Sequence, residues 1–115
     1  MRRLVIGAGA AVLCIAWGTA AFSQDAKVVE RGKQVYAEQK CKLCHSIAGE
    51  GNVKGPLDGC GSKLTAAEIK EWIVNPKEMT AKTKAARKPF MKAYPSLPQA
   101  DLDALVAYMQ SLKKK

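Results

Sequence analysis

The stretch "KCKLCHSIAG", residues 40–49, sets Cys41 and Cys44 beside His45, the only histidine of the chain. Three chemistries use such a cluster. A thiol–disulfide redox pair takes C-x-x-C at a helix start beside a sheet, and no alternating apolar run in this sequence makes a convincing strand. A structural zinc site takes four ligands. Cys41, Cys44, Cys60 and His45 only just supply that number, and Cys60 has no neighbour at metal-knuckle spacing. Covalent haem attachment has C-x-x-C-H as its signature. On a helix start, thiols at this spacing lie close enough to bond the two vinyl groups of one porphyrin, and the following residue points its imidazole at the iron. Haem attachment fits the sequence best; zinc binding and thiol redox remain the alternatives.

The rest of the chain must present that cluster. Arg2 and Arg3 open the sequence, no charge follows until Asp25, and an apolar run over residues 4–17 gives way to small residues at 18–23. This layout predicts a secretory signal peptide over residues 1–23, cleaved after Ser23. An uncleaved anchor is the competing reading, since a bilayer takes about 20 apolar residues. Cys14 lies inside the apolar run and leaves with the signal. Residues 24–115 then make one domain, small enough to depend on a staple such as a metal or a covalent group. It keeps Cys41, Cys44 and Cys60 in an oxidising compartment, an odd set that simple pairing cannot use up. The net charge of +9 suits nucleic acid, a membrane surface or an acidic protein, and export argues against nucleic acid.

Three segments have helical spacing. Over residues 25–39, Val28, Gly32, Val35 and Tyr36 share a face, with Asp25 at the positive end. Over 65–75, Thr65 and Glu68 match a capping box, Ile69, Trp72 and Ile73 form a stripe, and Pro76 ends the helix. Over 98–113, Leu102, Leu105, Val106, Met109 and Leu112 line an apolar face, with Lys113, Lys114 and Lys115 at the negative end. Residues 49–63, rich in glycine, and 77–97, rich in lysine and proline, read as loops. The fold class is all-α, with loops outweighing helices.

"CKLCH", "KGPLDGCGSKLT", "EWIVNP" and "KPFMKAYPSLPQADLDALVAYMQSL" follow one another in an order that resembles a class I c-type cytochrome over nearly all of residues 24–115. The resemblance implies three main helices wrapped around one haem c, held by thioethers to Cys41 and Cys44. It also implies a crossing of the first and last helices at Gly32 and Tyr108. The axial ligands would be His45 and Met91. Met109 belongs to the core stripe, Met79 is the rival ligand, and Lys92 stands where many relatives carry proline after the methionine. Pro56 matches the family proline whose carbonyl takes the imidazole N–H, and Trp72 resembles the tryptophan near the propionates. Cys60 is expected as a buried, inert thiol, with dimerisation through it the alternative.

The implied function is one-electron transfer between redox proteins in the periplasm, by a monomer that converts no substrate. The segment carrying Lys77, Lys82, Lys84, Arg87, Lys88 and Lys92 would meet partners with an acidic surface. Two other functions stand beside it: a haem subunit of a larger dehydrogenase or oxidase, and a haem with a labile distal ligand, peroxidase-like or gas-binding.

Overall fold

A computed structural model describes residues 20–114, with side chains from Ala26 onward. The signal-peptide reading of residues 1–23 therefore falls almost wholly outside the described residues, as does Cys14. Among the described residues no helix is long and apolar enough to cross a membrane. The described residues are mostly helical, where loops were expected to outweigh helices: α1 (Ala20–Glu38), α2 (Cys60–Lys63), α3 (Ala66–Val74), α4 (Pro76–Thr83) and α5 (Gln99–Ser111).

The frame is the crossing of α1 and α5, which pack together more extensively than any other pair of elements. Gly32 makes the close approach possible. A Cβ there would run into the carbonyl of Ala104 and stand 2.6 Å from Cβ of Tyr108. One turn on, the rings of Tyr36 and Tyr108 meet edge to face at 5.8 Å and 83°, a favoured aromatic geometry. Arg31 pins the same crossing from outside, with Nε to Asp101 Oδ1 at 3.0 Å and Nη2 to Asp101 Oδ2 at 3.1 Å. Beneath it Val35, Ile69, Ile73, Leu102, Leu105 and Met109 form the core.

The capping box holds as expected. Glu68 N donates to Thr65 Oγ1 at 3.2 Å, and Thr65 N donates to Glu68 Oε1 at 3.0 Å. Ile69 and Ile73 are buried beneath α3, while Trp72 is half-buried.

Three elements depart from expectation. Residues 76–83, read as the end of one helix and the start of a loop, form α4. Pro76 stops α3 but opens the next helix at its first turn, where a missing N–H costs nothing; Met79 is the apolar residue that seats it. The glycine-rich segment contains α2, whose Gly61 lies against the backbone of Gln110 with no room for a Cβ. Ser46–Ile47 and Glu50–Gly51 pair as a minimal antiparallel ribbon. Its two linking residues, Ala48 and Gly49, sit at φ 51° and 81°, the positive values that two-residue hairpins require. The last helix also ends earlier than expected. α5 stops at Ser111, and Lys113 Nζ donates to the Gly61 carbonyl at 2.8 Å, tying the chain end to α2.

Candidate cofactor site

Just beyond α1, Lys40 takes a left-handed conformation at φ 57° and turns the chain into a 3-10 turn over Cys41–Leu43. The attachment motif thus occupies a tight turn after a helix, where a helix start was expected. The turn closes through Cys44 N to Cys41 O at 3.1 Å and His45 N to Cys41 O at 3.0 Å. These bonds put Cys41, Cys44 and His45 on the wall of one cavity of ≈ 340 Å³, a size usual for a small-molecule or cofactor site. Neither cysteine forms a disulfide among the described residues.

His45 is oriented by one hydrogen bond, from Nδ1 to the carbonyl of Gly55 at 3.1 Å. A carbonyl only accepts, so Nδ1 carries the proton and Nε2 keeps its lone pair. Burial lowers the His45 pKa from its ordinary value; the Gly55 bond opposes this, and Arg87 adds to the lowering. The ring is therefore held as the neutral imidazole that metals bind. The acceptor corrects the expectation for Pro56, because the carbonyl used is one residue earlier. The physical reason is local. A residue preceding proline is steered to extended backbone, and Gly55 uses its carbonyl for both His45 Nδ1 and Ser46 N, the latter at 3.1 Å. Pro56 itself is exposed and bridges to Ser46.

Asn52 fastens the turn from behind. Its N–H is shared between the carbonyls of Lys42 and His45, each at 3.0 Å, and its Nδ2 donates to Leu43 O at 3.3 Å. The only signal for it in the sequence is an asparagine among glycines, a common turn residue.

The remaining wall comes from elsewhere in the chain. Met91 is half-buried on the cavity wall, whereas Met79 is 8% exposed within α4 and takes no part in the lining. Met109 sits in the core, as the stripe implied. Tyr94 anchors the Met91 loop through its N–H to Ile73 O at 2.9 Å and its hydroxyl to Gln39 O at 3.4 Å. Trp72 also lines the cavity while forming part of the α3 face. Cys60 is half-buried on the same wall and donates to the Met109 carbonyl at 3.2 Å. Burial raises its pKa, and burial likewise pushes Cys41 up to about 11.

A family model described as Cytochrome c matches residues 29–113. The chain belongs to the cytochrome c family. Among its relatives is "Cytochrome c oxidase subunit 2" of Alkalihalophilus pseudofirmus, 30% identical over 95 residues, covering 75% of this chain and 26% of that protein. The cytochrome thus spans about a quarter of that relative's length. No solved structure matches it.

The donor set fits the haem that the family implies. A neutral imidazole, two thiols at attachment spacing and a thioether share one largely apolar cavity. Tyr36, on the same wall, keeps a buried hydroxyl with no hydrogen-bond partner among the described residues. Such an unpaired group costs about 1–3 kcal/mol, which suits a wall built to face an occupant. Family membership brings haem-based electron transfer with it.

Proposed function

We propose that this cytochrome is a one-electron carrier of the periplasm. It would hold haem c through thioethers to Cys41 and Cys44, with His45 and Met91 as axial ligands. When bound, haem supplies the one-electron couple. His45 presents Nε2 as the hard-held ligand, oriented through Nδ1 by Gly55. Met91 offers a soft thioether that favours the ferrous state and raises the potential. Because His45 and Met91 would both hold the iron, no open position would be left for a substrate. The observation that carries this reading is the presence of Met91, and the absence of Met79, on the wall that holds both thiols and the histidine.

Residues 81–90 are exposed throughout, and Phe90 is 58% exposed beside Met91. Lys77, Lys82, Lys84, Arg87, Lys88 and Lys92 would surround this segment with positive charge and steer an acidic redox partner towards the site. The relative among oxidase subunits supports a second reading, in which the same domain delivers electrons within a larger complex.

Stopped-flow mixing with an acidic redox protein, with carbon monoxide present and absent, tests the carrier. The expected result is rapid transfer that slows as ionic strength rises to physiological values, where screening shortens to about 8 Å, and that ignores carbon monoxide. Slow transfer together with ready carbon monoxide binding contradicts it and favours an open haem.

A further inference from the structure

We propose that Arg87 sets the reduction potential of the site, as a fixed positive charge held over the proximal ligand's hydrogen-bond acceptor. This rests on the haem reading above and concerns a residue that the attachment motif does not contain.

The placement is specific. The guanidinium lies over Gly55 in space that any side chain there would fill: a Cβ on Gly55 would stand 2.7 Å from Cζ of Arg87 and closer still to Nη1 and to the Cys44 carbonyl. Gly55 is the residue whose carbonyl receives the His45 Nδ1–H. The absence of a side chain at Gly55 therefore serves two ends. It lets the backbone approach Cys44, and it opens a seat for the arginine head. Arg87 also reaches the cavity wall, although it belongs to an otherwise exposed segment. Its charge is not taken up in an ion pair among the described residues, where the pairs are formed by Arg31 and Lys33.

A cation in that position acts on the two oxidation states unequally. The ferric site carries one more positive charge than the ferrous, so a neighbouring guanidinium disfavours it. The effect falls with distance and effective dielectric, and lysines extended into solvent are screened over about a Debye length.

The test is an equilibrium redox titration of the holoprotein carrying Arg87→Gln, Arg87→Lys or Lys70→Gln. Lys70 is an exposed residue of α3 that does not line the cavity. Each variant is first checked for covalent haem and for the sulfur-to-iron absorption; loss of these in the unmodified protein would count against the proposed function itself. Arg87→Gln is expected to shift the equilibrium about threefold towards the ferric form, roughly 28 mV at 59 mV per tenfold for one electron. Arg87→Lys should retain most of the potential, and Lys70→Gln should match the unmodified protein. An Arg87→Gln shift no larger than that of Lys70→Gln overturns the proposal, as does an Arg87→Lys shift equal to that of Arg87→Gln.

Discussion

The two sides of the cavity are built differently. On the histidine side, residues 40–57 fold back on themselves through a dense set of backbone bonds: the 3-10 turn, the short ribbon, the shared Asn52 N–H and Leu57 N to Ser46 O at 2.8 Å. On the methionine side, the segment leading to Met91 runs exposed from residue 81 to residue 90, and the Tyr94 N–H to Ile73 O fastens it just beyond Met91. One proposed ligand is embedded in a self-bonded corner; the other hangs on a loop tied close to one end. Local opening takes the path with the fewest buried contacts and backbone bonds. The thioether should therefore be the ligand that yields first, while the imidazole leaves only with the fold.

The largest effect should come from the attachment thiols. Haem ligation supplies much of the folding energy of so small a domain, so Cys41→Ala or Cys44→Ala should cut mature holoprotein sharply. Cys60→Ala should keep its covalent haem, since that thiol only donates to a backbone carbonyl. Denaturing gels stained for haem would show it; equal loss at all three positions would revive the zinc reading.

A smaller pair of changes compares the two sides directly. Asn52→Ala removes the bonds from Nδ2 to Leu43 O and from Lys54 N to Oδ1. At about 0.5–1.5 kcal/mol each, global stability in denaturant should fall by about 1–3 kcal/mol, with the sulfur-to-iron absorption intact at room temperature. Tyr94→Phe removes only a long 3.4 Å bond and should cost no more than about 0.5 kcal/mol globally. It should nonetheless lower the temperature at which that absorption fades. Were Asn52→Ala to weaken the absorption more than Tyr94→Phe, the contrast between the two sides would fail.

The sequence made some of this legible and hid the rest for physical reasons. The α3 cap was readable because Thr65 and Glu68 bond to each other's backbone at fixed spacing. Gly32 was readable because glycine in mid-helix needs a packing reason, and the Ala104 carbonyl supplies it. α4 was hidden because Met79 is its single long apolar side chain and Pro76 signals a stop as well as a start. The imidazole's acceptor was misplaced by one residue because carbonyl direction is a property of backbone torsions that side-chain types do not encode. Asn52 bonds to the backbone carbonyls of Lys42, Leu43 and His45, and the Arg87 head lies over Gly55 from far along the chain; no periodicity marks either.

The central claim is that Met91, not Met79, completes the iron's ligand set. Volume-conserving replacement separates the two, since Met↔Leu exchange usually costs under about 1.5 kcal/mol. Spectra of Met91→Leu and Met79→Leu holoproteins in both redox states, with carbon monoxide added, measure it directly. Met91→Leu should lose the sulfur-to-iron charge-transfer absorption, fall in potential and bind carbon monoxide when reduced, whereas Met79→Leu should keep all three properties of the unmodified protein. The reverse pattern would move the ligand to Met79, and no change in either variant would contradict methionine ligation altogether.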